Sequence, residues 1–312
     1  MMSTSILKLI ISVRSFLDST GRNFEVFTKP DGSPVTTSDI GVQIVINRFL
    51  MENYSDDKWI SEESDSGLPE SFLQKVTNLL RESDPDFKLS STEIAQILSN
   101  RGNQNGASWW MVDPIDGTRG FLRNEQFSVC LARFTEGKPV FGLLICPNLP
   151  FPRLDSPETG TIFYWEKGSE PVQFSYWNFE IKTQISVNKN PTGILLTSVE
   201  RDHSRMEKVE KISQGAGFGK ILSFDSQVKY GLLARGEAEA LLRIPGSATY
   251  KEKVWDHAAG LGILEAASGQ VSDVNGLPFY FSGEETLSKN FGLLASNGIR
   301  HFSILKQIEE IR

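Results

Sequence analysis

The sequence predicts a mixed fold, α+β in its first part and α/β in its second. Three observations predict it. Helix-period apolar stripes open the chain, short apolar runs divided by turn residues fill its middle, and strand-like and helix-like segments alternate beyond residue 193. The 312 residues, 39% hydrophobic and 23% charged, suffice for one large or two moderate cores.

The elements follow in order. Ile6, Leu9, Ile10, Val13 and Leu17 recur at helical spacing, so residues 1–20 read as an amphipathic core helix. Lys8 and Arg14 interrupt that stripe, which argues against a signal peptide, and no apolar stretch has the length to span a bilayer. Residues 26–34 read as a loop with a turn at Asp31-Gly32. In residues 39–53, Val42, Val45, Ile46, Phe49 and Leu50 fall on one helical face. Lys58-Trp59-Ile60 suits a short strand. Residues 69–82 and 90–99 read as helices separated by Ser83-Asp84-Pro85-Asp86, and a Gly/Asn loop spans 101–108. Trp109 to Val112 suits a buried strand, which Pro114 should end by removing an amide donor and fixing φ. Residues 127–134 and 140–146 flank Glu136-Gly137-Lys138 as a hairpin, residues 150–160 form a Pro-rich loop, and 161–165 form a further strand. Residues 188–193 suit a boundary between an N-terminal α+β domain, 1–188, and a C-terminal α/β domain, 189–312. Beyond it, segments at 194–198, 206–213, 221–224, 227–234, 238–244, 255–268, 292–295 and 302–311 alternate between strand and helix, with Gly269 expected as the residue just past one helix end.

The formal net charge is −7 and no basic block is visible, which argues against a nucleic-acid polymer as partner. An anionic ligand would therefore need local cations to reverse the sign of the field. Cys130 and Cys146 both lie in apolar runs, and two cysteines exclude a disulfide framework. Buried strand thiols in a reducing compartment follow, with the cytoplasm as the expected location and no membrane association.

Residues 109–121, WWMVDPIDGTRGF, carry the most chemistry. An apolar strand delivers Asp113 and Asp116 to a loop with a permissive Gly117. That suits a hard divalent cation, which takes oxygen ligands and nearby backbone carbonyls. A turn with a capping Asp would read the same way locally. Three further acidic groups sit beside element ends. They are Thr36-Thr37-Ser38-Asp39 at a helix start, Ser61-Glu62-Glu63-Ser64 after a short strand, and Val254-Trp255-Asp256-His257 before a small-residue helix. Each alone fits capping by Ser38, a charged loop, or an acidic residue favouring a helix dipole.

Together and in this order, the four elements resemble the lithium-sensitive, magnesium-dependent phosphatase superfamily that includes inositol monophosphatase. Asp113-Pro114-Ile115-Asp116-Gly117-Thr118 and Trp255-Asp256-His257-Ala258-Ala259-Gly260 are the most specific parts, and the resemblance spans roughly residues 28–300. Ser61 departs from the family, which usually has Gly there. The resemblance implies an αβαβα sandwich and a Mg²⁺ site holding two or three ions. Asp113 would bridge two of them, Glu62 and the Ile115 carbonyl would complete one site, and Asp116 and Asp256 another. A third, looser ion would sit near Asp39 and Glu62. Asp39 and Thr118 would activate the attacking water, and the amides of Gly117 and Thr118 would hold phosphate oxygens.

Within that superfamily the chain looks like the bisphosphate nucleotidase branch, which removes the 3′-phosphate of adenosine 3′,5′-bisphosphate. The stretches that carry this are Gly120-Phe121-Leu122-Arg123, Cys146-Pro147-Asn148-Leu149, Asp225-Ser226-Gln227-Val228-Lys229-Tyr230 and Leu242-Arg243-Ile244-Pro245. By motif and spacing, the branch's nucleotide-binding His, Ser, Lys and Arg fall on His203, Ser226, Lys229 and Arg243. A guanidinium at 243 suits a second phosphate or a purine face, where inositol monophosphatases tend to carry an acid. The implied partner is a small nucleotide bisphosphate, with its 5′-phosphosulfate analogue as a further substrate. Two alternatives stand beside this expectation: an inositol phosphate 1-phosphatase, and a catalytically inactive nucleotide or metal sensor.

Overall fold

In the computed structural model every residue is described except Met1, Asp65, Ser66, Glu200, Arg201, Asp202, Ala248, Arg312 and the side chains of His203 and Ser204. The first part of the chain runs α1 (Thr4–Thr20), β1 (Val26–Thr28), β2 (Pro34–Thr36), α2 (Thr37–Asn53), β3 (Lys58–Ser61), α3 (Glu70–Ser83), α4 (Ser91–Ser99) and β4 (Ser108–Asp116). It continues with α5 (Thr118–Leu122), β5 (Ser128–Thr135), β6 (Lys138–Pro150), β7 (Thr159–Glu166), β8 (Val172–Ser175) and β9 (Lys182–Gln184). Then come β10 (Ile194–Thr197), α6 (His203–Gly215), β11 (Lys220–Ser223), α7 (Val228–Ala234) and β12 (Ala240–Arg243). A 3₁₀ turn (Val254–Asp256) leads into α8 (Ala258–Ala266), β13 (Gln270–Ser272), β14 (Leu293–Ser296) and α9 (His301–Glu310).

Strand alternation builds the layers. On β5, Val129 and Leu131 face one core while Cys130, Ala132 and Phe134 face another; on β6, Phe141, Leu143 and Ile145 oppose Leu144 and Cys146. In the sheet β3 to β9 this period of two buries both faces through the central strands, while the edge strand β9 is exposed. Its strands follow chain order, with β3 parallel to β4 and the other pairs antiparallel. One face carries α1 to α4. The other carries α7 and α8, which also cover the smaller sheet, ordered β11-β10-β12-β14-β13. The far face of that sheet is closed by α6 and α9 through Val209, Ile212, Ile304 and Ile308. The layers are therefore helix, sheet, helix, sheet, helix, as the resemblance implied. Each fully buried aliphatic side chain in these layers contributes roughly 1.5–3 kcal/mol. Gly231 lets α7 reach the large sheet, because a Cβ there would lie 2.3 Å from the Phe163 ring.

Several local expectations are corrected. Residues 26–36 hold a short hairpin, β1 with β2, with Asp31-Gly32 at its tip. The strand after Trp109 does not stop at Pro114 but runs to Asp116, because the register slips between Asp113 and Asp116. A bulge tolerates a residue with no amide to donate. The cap of α2 is Thr36, not Ser38; its hydroxyl accepts from the amides of Ser38 and Asp39. That helix is buried nearly all round, not on one face. Past α8, Ser268 rather than Gly269 takes the left-handed position (φ 67°), and Gly269 donates back to the Leu264 carbonyl. Among the described residues no helix is long and apolar enough to cross a membrane.

Candidate active site at the junction of the two sheets

Three chain segments deliver carboxylates to one place. Parallel pairing of β3 with β4 sets Ser61 opposite Val112, and the Glu62 amide continues the ladder to the Val112 carbonyl at 3.0 Å. Glu62, just past the end of β3, and Asp113, at the β4 bulge, thereby bring their carboxyl groups into hydrogen-bonding reach of each other. Ser61 fits as an ordinary strand residue, 4% exposed. The β4 bulge turns the chain so that Asp116 follows Asp113 into the same region, and Gly117 (φ 86°) reverses it into α5. From the other side, the 3₁₀ turn before α8 presents Asp256.

A cleft of about 360 Å³ opens here. Glu62, Asp116, Gly117, Thr118, Ser226, Lys229, Arg243 and Asp256 line it. Asp39 and Asp113 lie beneath that lining, 0% and 2% exposed. Asp39 is held rigidly: its Oδ2 accepts from the Thr36 amide at 2.7 Å and from the Thr36 hydroxyl, and its Oδ1 accepts from the Thr118 hydroxyl at 3.2 Å. The same hydroxyl lies 3.1 Å from the Ile115 carbonyl oxygen. Burial, reinforced by the nearby Glu63 charge, pushes the Asp39 carboxyl up to about 7.

The acids perturb one another. Burial and then the charges of Glu62, Asp116 and Asp256 drive Asp113 far above the usual carboxylate range. Glu62 is raised by burial and by Glu63, against the pull of Lys29. Asp116 rises to about 6 through burial and Asp256, opposed by Lys229 and by the Gln227 amide, which donates to its Oδ2. Asp256 is raised by burial, with Arg243 and His257 opposing. Asp113 Oδ1 is buried without a hydrogen-bond partner. An unpartnered oxygen among like charges is costly, and a hard divalent cation removes that cost. The residues present therefore fit such an ion.

Glu252, Asp256 and His257 also place one ligand atom each within 4.8 Å of one another. Glu252 is already neutralised, with one oxygen 3.1 Å from Arg243 Nε and the other 3.3 Å from His257 Nε2. His257 Nδ1 meets the Tyr230 hydroxyl at 2.9 Å. Glu252 and His257 are therefore held in a polar network with Arg243 and Tyr230, and of the three only Asp256 lines the cleft as a carboxylate.

Of the residues expected to bind nucleotide, Ser226 (φ 66°) packs on Gly117, where a Cβ would lie 3.1 Å from its own Cβ. Lys229 is 6% exposed and donates to the Phe224 and Ser226 carbonyls at 2.9 and 2.6 Å. Burial brings its ammonium down to about 8. Arg243 stands at the end of β12. The backbone of His203 opens α6, while its side chain lies outside the described residues.

Sequence reasoning missed the supports. Gln43 donates to the Glu63 carbonyl and accepts from the Glu63 amide, fixing the loop that carries Glu62. Gln227 donates to the Trp255 carbonyl and accepts from the Gly260 amide, tying the Asp256 turn to the segment that contacts Asp116. Lys29 pairs with Glu63 at 2.9 Å and approaches Glu62 at 3.9 Å. The Thr36-x-x-Asp39 spacing was a capping-box signal available in the sequence. Buried amides such as Gln43 leave no local signature.

A family profile described as the inositol monophosphatase family matches residues 7–312. The chain belongs to the inositol monophosphatase family. Among its curated relatives, a Dictyostelium discoideum protein named 3′(2′),5′-bisphosphate nucleotidase is 36% identical, covering 92% of this chain and 89% of the relative. A Candida albicans protein named 3′(2′),5′-bisphosphate nucleotidase 2 is 33% identical, covering 91% of this chain and 88% of the relative. A solved IMPase/NADP phosphatase complexed with Mg²⁺ and phosphate has the same fold at TM-score 0.64. It is 15% identical, over 97% of this chain and 92% of that one. The inositol monophosphatase family thus supplies the sandwich, and the relatives fall in its nucleotidase branch.

Proposed function

We propose that this chain is a Mg²⁺-dependent phosphatase that hydrolyses the 3′-phosphate of adenosine 3′,5′-bisphosphate to AMP and phosphate, and that it acts also on the 5′-phosphosulfate analogue. The observation that carries this reading is the meeting of Glu62, Asp113, Asp116 and Asp256 beside a guanidinium, Arg243, in one cleft. The names of the relatives point to the same substrate.

Glu62, Asp113, the Ile115 carbonyl, Asp116 and Asp256 would hold two ions, with a third near Asp39 and Glu62. Bound Mg²⁺ supplies positive charge to an anionic ester and lowers the pKa of water. The chain's own residues do the rest. The Thr118 hydroxyl donates to Asp39, which would leave its oxygen to accept from the attacking water and orient it. Asp39, raised to about 7, is matched to accept a proton near neutral pH. The amides of Gly117 and Thr118 lie at the turn out of β4, where phosphate oxygens would be held. Lys229 and Arg243 offset the acids around Asp116 and would supply the positive charge that a nucleotide phosphate meets. Ser226 and His203 would complete the nucleotide contacts. By family likeness Li⁺ would inhibit.

Phosphate release from adenosine 3′,5′-bisphosphate and inositol 1-phosphate, with Mg²⁺ or EDTA and with or without Li⁺, tests this. Mg²⁺-dependent release favouring the nucleotide supports it. Preference for the inositol ester would make the chain an inositol phosphatase, and no release from either would make it an inactive sensor.

A further inference from the structure

Glu252 has no place in the ion cage or in the expected nucleotide contacts, yet it sits behind both. It is 1% exposed, and a buried carboxylate is tolerated only when paired. Its Oε1 accepts from Arg243 Nε at 3.1 Å, and its Oε2 faces His257 Nε2 at 3.3 Å. The chain of contacts continues from His257 Nδ1 to the Tyr230 hydroxyl at 2.9 Å. One carboxylate therefore links β12, the turn that carries Asp256, and the helix that carries Lys229.

The effect on Arg243 is specific. An arginine at a strand end has many rotamers, and a carboxylate on Nε removes most of them. Nη2 is steered toward the Tyr250 hydroxyl at 3.3 Å, with the guanidinium 6.0 Å from the centre of that ring. Arg243 remains 29% exposed on its side chain and lines the cleft. Its Nε and Nη2 are thus committed to Glu252 and Tyr250, and the exposed part of the guanidinium that lines the cleft is what an anionic or aromatic ligand group would meet.

We infer that Glu252 is a positioning residue for nucleotide selectivity, acting by fixing Arg243 against the non-reacting part of a nucleotide bisphosphate. This rests on the nucleotidase reading above. Without the clamp, Arg243 must be ordered on binding, and the cost falls on nucleotide affinity rather than on phosphate chemistry.

The test compares kcat/KM on adenosine 3′,5′-bisphosphate with kcat/KM on glycerol 2-phosphate, which has neither purine nor second phosphate. Glu252→Gln keeps size and an acceptor but loses charge, and should lower the nucleotide-to-glycerol-phosphate selectivity ratio about tenfold, chiefly through the KM for the nucleotide. In an Arg243→Lys background the same change should add less than about twofold, because both act through one contact. A Glu252→Gln protein that melts like the wild type but keeps the wild-type ratio overturns the inference, as does full additivity with Arg243→Lys. Should Glu252→Gln fail to fold, Glu252→Asp, which keeps the charge but shortens its reach to Arg243 Nε, combined with Arg243→Lys reads the same coupling, and additivity there also overturns it. A wild-type protein with no preference for the nucleotide is a separate outcome: it removes the nucleotidase reading, and this inference with it.

Discussion

Replacing Asp116 by Asn should stabilise the protein in EDTA while abolishing most of its turnover. Burial and Asp256 raise the folded Asp116 carboxyl from 3.8 to about 6. A raised acid means that the folded state binds protons more tightly than the unfolded state. Stability from this group is then present at low pH and is lost as pH climbs from about 4 to about 6. Above that window the charged carboxylate costs on the order of 3 kcal/mol in the ion-free protein. Asn keeps the shape and still accepts from the Gln227 amide, so the cost disappears. At pH 7.5 in EDTA the variant should melt roughly 5 °C above wild type, given a chain of this size. With saturating Mg²⁺ the order should shrink or reverse, because ion binding stabilises only the site that retains its ligand. Thermal melts of both proteins with EDTA and with a Mg²⁺ titration measure this. A variant that melts below wild type in EDTA and keeps the full Mg²⁺-induced rise would refute the reasoning.

Three further outcomes are expected. Thr118→Ala should lower kcat by about 10²–10³-fold with the Mg²⁺-induced melting shift retained, while Thr118→Ser keeps most activity; phosphate-release kinetics and melts on the same samples check this. His301, buried between the Ser272 and Ser296 hydroxyls, has its imidazole lowered from 6.5 to about 4. It therefore favours the fold fully above about pH 6.5 and loses that contribution as pH falls toward 4. Urea unfolding at pH 7 and 4.5 should show a smaller acid loss in His301→Asn than in wild type. Gly231→Ala should cost about 1–3 kcal/mol, because the new Cβ meets the Phe163 ring inside a packed layer, and urea midpoints measure it.

The mixed helix and strand content was legible because apolar runs between turn residues mark strands and stripes near a period of 3.6 mark helices, whereas the layering followed only from the family resemblance. The α1 stripe shows the helical case: Ile6, Leu9, Ile10, Val13 and Leu17 are all buried. What escaped was local or long-range. The β1–β2 hairpin has three residues a side and no alternation to read. The burial of α2 on every side was hidden because polar residues do part of the packing, with Gln43 bonded to Glu63 and Asn47 to the Ile97 carbonyl. Pro114 misled because proline ends a regular strand but is accommodated at a bulge. At the site, the acidic groups could be picked out by motif order, whereas Gln227 and Glu252 had no local pattern. Their partners lie on other elements, and only the folded chain brings Gln227 to Trp255 or Glu252 to Arg243.

Anomalous diffraction from crystals soaked in Mn²⁺, read at the ends of β3 and β4, bears most directly on the central claim. The account predicts ion peaks bracketed by Glu62, Asp113, Asp116 and Asp256, with the Asp113 carboxylate shared between two of them. Peaks confined to Glu252 and His257, or a site that stays empty under saturating Mn²⁺, would contradict it.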